Sequence, residues 1–430
     1  MSRNPAGAAR GKDRRADHHT ASRQDRRSLI ALFAATFTEL SGIFLFGPLM
    51  LFTLKAQGLS TAALGAFSAL QWAGLLAATP FASSWMHRLG PRRALLASGA
   101  VPLLAMLGMV STRSLALWSL LYFVAGMASA LRWILAESSV AALAPPQRRG
   151  RVMGLFAMMI GVTFMVGPGL LSLLLAAGWA TPDVAWVAVA LVALGLLLLL
   201  PVRPPVAAET AAHAAHTAAH TAAHTAAHTA AHTGWRGTWG ALRAAPLVML
   251  TGFVGGFFES GLASTLPLVG LGLGFSAALA ALLVSASGLG STLLAPLAGE
   301  LADRWPTHRV RRGCAAACLG ATLALPLAPL WAALPWVIAF VWGGAGAALY
   351  TVSMVDIGQR QQGVALVNST AVLVMAYTAG GLLAPAAGGL MLQWAPLLGF
   401  PALLAVVAAL GLWPAGRVPA APLSLPSRRF

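Results

Sequence analysis

Charge is scarce in this sequence, and acid is scarcer than base. Only 9% of the 430 residues are charged, with 11 Asp and Glu against 28 Lys and Arg. A soluble chain carries charge on about a quarter of its residues, so the composition excludes a soluble globular protein. Cysteine is almost missing. Cys314 and Cys318 are the only two, which excludes a disulfide framework and a four-thiolate metal site. Four apart near the start of an apolar run, they read as small packing residues. Catalytic signatures are missing too: there is no Ser/His/Asp constellation, phosphate-binding loop or paired-histidine zinc helix. Neither an enzyme nor a cofactor is expected.

Apolar sequence is what the chain has in abundance, 58% of its residues at a mean hydropathy of +0.77. Twelve apolar runs recur, at roughly 29–52, 61–83, 94–112, 115–138, 152–177, 184–201, 245–267, 276–298, 313–333, 335–355, 364–392 and 398–416. Runs of about 20 residues cross a bilayer core as helices. They are continuous rather than alternating, which disfavours a barrel. The expected fold is an all-α membrane protein with twelve transmembrane helices. The first run follows a polar tail, residues 1–28, too long for the leading region of a cleaved signal. The first helix is therefore read as a retained anchor.

Basic residues set the orientation. Twenty-five of the 28 Lys and Arg fall in the two tails and in alternate loops; the opposite loops hold only Lys55 and Arg113, and Arg132 lies within the fourth segment. This asymmetry places both termini and the basic loops in the cytoplasm. The net charge of +17 is thus a topology signal. No basic folded domain exists to bind nucleic acid.

The chain also repeats. "GLSTAALGAFSALQWAGLLAATPFAS" (58–83) aligns without gaps to "GFSAALAALLVSASGLGSTLLAPLAG" (274–299), with Gly58 to Pro80 and Gly274 to Pro296 spaced identically. Two six-helix halves follow, 29–201 and 245–416, the arrangement of a large transporter class. A histidine-rich linker, 202–244, joins them, and a second tail occupies 417–430.

After the eighth segment, "GELADRWPTHRVRR" (299–312) resembles motif A of the major facilitator superfamily through Gly299, Asp303, Arg304 and Arg309. Its first-half counterpart, "SSWMHRLGPRR" (83–93), keeps Arg88, Gly90, Arg92 and Arg93 but has Ser83 and His87 for the glycine and aspartate. "FVAGMASALRWILAESSVAALAPPQRRGRVMGLFAMM" (123–159) and "LVNSTAVLVMAYTAGGLLAP" (366–385) are similar to the YcaD-like branch of that superfamily, a bacterial group. The resemblance implies a monomeric transporter in the bacterial inner membrane, moving a small molecule by alternating access. In motif A, Asp303 would accept backbone N–H bonds at a nearby helix N-terminus, where the dipole favours negative charge. Such a latch closes the cytoplasmic side; the alternative is that these arginines only enforce topology. His87 would make the first-half latch pH-dependent.

Ionisable residues inside the segments point to function, because each is costly unless paired or facing a cavity. Glu39 lies near the middle of the first segment, Glu259 in the seventh, and Arg132 and Glu137 in the fourth. The resemblance implies that the first, fourth, seventh and tenth helices line a central cavity, so these four are the candidate proton-coupling and substrate residues. Structural hydrogen bonding is the alternative for Glu39 and Glu259, and an inner-gate salt bridge to Arg149 or Arg151 the alternative for Glu137. Arg132 and Glu137 are five apart, a poor same-face spacing, so Arg132 is expected to pair with another helix. Asp356 is expected at the interface. The superfamily's motif B arginine is replaced by Tyr122, four residues before Gly126. In the fifth segment "GVTFMVGPGLL" (161–171) resembles the antiporter motif C through Gly167 and Pro168, which favours efflux. The expected function is proton-coupled export; the alternatives are uptake or uncoupled permeation, or a non-transporting sensor on the same scaffold.

The linker repeats "AAHT" almost perfectly, with His213, His216, His220, His224, His228 and His232. Spacing of four can chelate a metal on a helix, yet each step drifts about 40° around the axis. Five histidines therefore do not converge on one ion. The tract reads as a spacer, with metal or proton sensing as the alternative. Replacing all six histidines by serine is expected to leave transport and its response to zinc unchanged. A zinc-dependent activity that vanishes in this variant would overturn the spacer reading.

Overall fold

A computed structural model describes residues 5–145, 148–202, 243, 246–360 and 363–413. Nearly all of the histidine-rich linker and the C-terminal tail lie outside the described residues. The first half comprises α1 (Pro5–Ala56), α2 (Thr61–Ala78), α3 (Ala82–Leu89), α4 (Pro91–Ser111), α5 (Leu115–Leu143), α6 (Arg149–Ala176) and α7 (Thr181–Leu199). The second comprises α8 (Pro246–Gly256), α9 (Leu266–Gly272), α10 (Ala277–Arg304), α11 (Thr307–Ala324), α12 (Leu334–Arg360), α13 (Gly363–Trp394) and α14 (Gly399–Gly411). A π turn, Phe257–Gly261, extends α8. No strand occurs among the described residues.

Each of the twelve apolar runs falls on a helix, but not every helix is a full span. Ten are long and apolar enough to cross a membrane, and α8 with its π turn forms an eleventh only when joined to α9 across a 58° bend. The last, α14, has 13 residues. The motif A-like stretch is not the expected loop. Helix α10 runs on through Arg304, leaving Trp305 and Pro306 as the connection to α11. Its first-half counterpart is the short helix α3, followed by Gly90 at φ +77.

The internal repeat persists at atomic level. Gly58 and Gly274 adopt φ +87 and +83, a region glycine enters without steric cost. Two residues later, Ser60 and Ser276 cap α2 and α10 by accepting the N–H of Ala63 and Leu279. Each copy thus turns its chain and starts its helix in the same way.

Small residues bring the helices together, as expected where lipid removes the hydrophobic drive for association. Within the second half, a Cβ on Gly290 of α10 would lie 2.0 Å from the Phe340 carbonyl oxygen of α12. Between the halves α2 packs on α13 and α6 on α10. There, a Cβ on Gly65 would lie 2.2 Å from the Pro385 carbonyl oxygen.

The halves meet unevenly. At the arginine-poor end, one buried cluster combines Leu49, Leu64 and Phe67 with Leu268 and Ala281 of the second half. The Ala62 N–H there donates to Gln393 Oε1 at 2.9 Å. At the arginine-rich end, the cluster around Leu32, Leu95 and Phe156 belongs wholly to the first half. The one around Met249, Ile357 and Leu373 belongs wholly to the second. Among the described residues, buried clusters thus seal the arginine-poor end, and none joins the halves at the other, the parted end.

Gly65 and Gly290 should respond differently to enlargement, since overpacking costs about 1–3 kcal/mol. Gly290→Val is expected to lower the melting temperature of the purified protein. Gly65→Val should instead favour the conformation open at the arginine-poor end, by roughly 5- to 150-fold for that cost. Faster modification of Ile43→Cys by an impermeant thiol reagent from that side measures the shift, and an unchanged rate would contradict this account of the seal.

Candidate functional site

Between the halves lies a cavity of about 280 Å³, lined from α1, α2, α5, α6, the bent α8–α9 span, α10, α12 and α13. Its volume sits at the small end of ligand pockets. Most of the wall is apolar or aromatic. Phe44 of α1 stacks on Phe164 of α6 with centroids 3.9 Å apart. Tyr122, which stands where motif B has arginine, stacks on Phe67 at 4.7 Å.

The first-half wall holds a buried ion pair. Arg132 Nε on α5 donates to Glu39 Oε2 on α1 at 2.7 Å, and Arg132 Nη2 donates to Thr36 Oγ1 at 3.1 Å. Thr36 and Glu39 are three apart, so both stand on one face of α1. One guanidinium therefore grips two residues of a neighbouring helix. The pair is 5% and 1% exposed. It is backed by α7, where a Cβ on Gly195 would lie 2.8 Å from Glu39 Cβ. Among the described residues Glu39 Oε1 and Arg132 Nη1 have no hydrogen-bond partner.

The second-half wall holds a carboxylate of another kind. Glu259 stands on the π turn of the seventh span, a distortion frequent at functional sites. It accepts from Ser291 Oγ of α10 at 2.7 Å and from Tyr377 OH of α13 at 2.9 Å. Ser260 bonds in turn to Tyr377. Among the described residues Glu259 makes no ion pair. Glu137 lies apart from both, exposed near the arginine-rich end, accepting from Trp133 Nε1 at 2.7 Å. It makes no salt bridge among the described residues. Arg151 is exposed and the Arg149 side chain lies outside the description.

The structure thus brings Glu39, Arg132 and Glu259 to one cavity and leaves the motif A-like residues outside it. Asp303 is exposed on the last turn of α10 and makes no hydrogen bond among the described residues. The expected bonds to a helix N-terminus are not formed in this conformation. Continuation of α10 keeps Asp303 at a helix C-terminus, the end where the dipole disfavours a carboxylate. Asp356 takes the N-terminal role instead, accepting from Thr307 Oγ1 of α11 at 2.7 Å and pairing with Arg360 at 2.9 Å. Asp356 is buried there. Arg304 pairs with Glu300 on its own helix, and Arg309 is exposed. Arg311 is buried and donates to the Gly411 and Trp413 carbonyls past the end of α14. Gly299 faces Thr351 of α12. Arg88 and Arg92 are exposed, Arg92 reaching the Leu200 carbonyl at 3.4 Å, and the His87 side chain lies outside the described residues. Gly167 lets α6 approach α1, with a Cβ there falling 2.7 Å from the Ser41 carbonyl oxygen, and Pro168 lines the cavity.

The profile of the Major Facilitator Superfamily matches residues 32–369. The chain belongs to that superfamily. It is an integral membrane protein. A relative in Bacillus subtilis (strain 168), the uncharacterized MFS-type transporter YfkF, is 24% identical over 121 residues, covering 28% of this chain and 31% of that one. The chain therefore matches less than a third of that relative's length. Three solved structures resemble the fold across most of the chain. A D-xylose-proton symporter matches with TM-score 0.69 and 15% identity, covering 91% of this chain and 95% of its own. The nucleoside transporter NupG matches with TM-score 0.65 and 14% identity over 90% and 96%. A bacterial homolog of the human lysosomal transporter Spinster, inward-facing and unoccupied, matches with TM-score 0.63 and 18% identity over 90% and 92%. At these identities the likeness establishes the fold alone.

Sequence reasoning missed Tyr377, Ser291, Tyr350 and Thr36. A signal for two of them existed. The whole chain has three tyrosines, and Tyr122, Tyr350 and Tyr377 all line the cavity, whereas membrane tyrosines commonly gather at the interfaces.

The ion pair makes a direct prediction for this superfamily member. Arg132→Met strands a buried carboxylate and is expected to cost about 3–5 kcal/mol, seen as a lowered melting temperature in detergent. Adding Glu39→Leu should restore most of the loss. If the double variant is less stable than the single one, the two side chains are not energetically coupled.

Proposed function

We propose that the protein exports a small molecule across the bacterial cytoplasmic membrane in exchange for protons, with Glu259 as the principal proton carrier. The observation that supports this most is the unequal partnering of the two cavity carboxylates. Glu39 is neutralised by Arg132 at 2.7 Å, whereas Glu259 has only the hydroxyls of Ser291 and Tyr377. An unpaired charge in a low-dielectric wall is costly. A proton removes that cost when the cavity is sealed, and an open cavity with water allows its release.

Arg132 has the complementary role. Held between Thr36 and Glu39, it gives the first-half carboxylate a countercharge and ties α5 to α1. Glu39 is then the secondary proton site, and Glu137 a group near the mouth. By the distribution of arginine, the parted end of the bundle faces the cytoplasm, so the described conformation is the one that loads solute for export. The Gly167–Pro168 step in α6 adds support to efflux. Closure at the cytoplasmic side would carry Asp303, Arg304 and Arg88 toward new partners and complete the latch that is open here. The stretches at 123–159 and 366–385 keep the YcaD-like branch as our assignment, with the chain working as a monomer.

Glu259→Gln retains the shape of the side chain and cannot exchange a proton. In proteoliposomes this variant is expected to lose pH-gradient-driven accumulation by at least tenfold while keeping counterflow exchange at saturating solute, which needs only loaded states. Glu39→Gln should impair both assays, because it also unpairs Arg132. Gradient-driven accumulation at the parent rate in Glu259→Gln would exclude this residue as the carrier.

A further inference from the structure

The charge of the cavity runs against the charge of the chain. The sequence has a net charge of +17, yet the charged residues lining the cavity are Glu39, Glu259 and Arg132. Glu39 and Arg132 offset each other at 2.7 Å, which leaves Glu259. A third carboxylate, Glu137, bonds to the cavity residue Trp133. Tyr350 and Tyr377 line the same cavity as Glu259. The cavity wall thus carries one carboxylate without a countercharge among the described residues, and the interior selects for positive charge.

Rings complete the same corner. The Tyr377 hydroxyl bonds to Glu259, and the Tyr377 ring meets that of Tyr350 edge-on, with centroids 4.9 Å apart and planes at 62°. Two perpendicular rings beside a carboxylate offer a cation both a countercharge and a negative π face, and such attraction acts within about 6 Å of a ring centroid. The groups facing Glu259 from its packed neighbours are Ser291 of α10, Tyr350 of α12 and Tyr377 of α13. None is a cation.

We infer that the transported solute is a small organic cation, its charged nitrogen held at Glu259 beside the rings of Tyr350 and Tyr377. This rests on reading the cavity as the transport site. Cation and proton then compete for one carboxylate. Arrival of the cation releases the proton to cavity water, and departure of the cation on the far side lets a proton return.

Benzyltrimethylammonium and its uncharged isostere neopentylbenzene test the charge alone, with phenylpropanoate as the anionic control. Binding to the purified full-length chain is followed by tryptophan fluorescence, since Trp72 and Trp133 line the cavity, and by thermal stabilisation. The cation is expected to bind saturably and at least tenfold more tightly than either control. Glu259→Gln and Tyr350→Leu should each weaken it at least tenfold, whereas Glu259→Asp and Tyr350→Phe, which keep charge and ring, should stay within about threefold of the parent. Equal binding of the isostere, tighter binding of the carboxylate, no saturable binding of the cation, or an unchanged cation affinity in Glu259→Gln would each overturn the inference. Proteoliposomes separate it from proton coupling. A cation that binds and exchanges but ignores an imposed pH gradient removes the coupling and leaves the cation site standing. A gradient-driven neutral solute, with no cation bound, does the reverse.

Discussion

A carboxylate inside a bilayer has to be neutralised or solvated, and the rest of this structure is arranged around how two of them are treated. Glu39 finds a guanidinium at 2.7 Å, with α7 pressed against its stem. Glu259 finds two hydroxyls. The first solution is static, because separating a buried ion pair exposes two charges to low dielectric at once. The second is labile, because hydroxyl donors remain in place whether the carboxylate is ionised or not. Two halves related by repetition thus hold their carboxylates in different ways, one by a cation and one by hydroxyls.

Glycine sets how closely the helices approach, both within a half and between halves. Gly290 brings α10 to the Phe340 carbonyl of α12 inside the second half. The Gly65 contact to Pro385 lies between halves, where Leu49, Leu64 and Phe67 share a buried cluster with Leu268 and Ala281.

The class of the protein was legible because it rests on composition and periodicity, which no tertiary contact can alter. All twelve apolar runs lie on helices, and the shared Gly58 and Gly274 turns follow from a repeat visible in the letters. Glu39, Arg132 and Glu259 stood out for a similar reason: a charge in an apolar run is conspicuous before its partner is known. That Arg132 would look to another helix followed from its spacing to Glu137. Which helix it would find depended on how α1 and α5 face each other, and that is a property of the assembled bundle. Tyr377 and Ser291 were hidden because a neutral hydroxyl in a membrane helix is indistinguishable from packing until a carboxylate appears opposite. The loop expected around Asp303 failed on local grounds. Polar sequence after an apolar run suggested an end to the helix, whereas α10 continues to Arg304 and stops at Trp305 and Pro306.

The shortness of α14 has a consequence for the membrane itself. Thirteen residues rise about 20 Å as a helix, against a hydrocarbon layer of about 30 Å. Arg311 fixes one end by holding the Gly411 and Trp413 carbonyls from α11, so the helix cannot slide to share the deficit. Lipid beside it must adapt, with acyl chains that tilt or shorten and headgroups that dip toward Trp413. Mismatch of this kind costs fractions of a kcal/mol per Å and gives one flank of the transporter a preference for thin bilayer. Its neighbours in the membrane are therefore sorted by chain length as well as by chemistry.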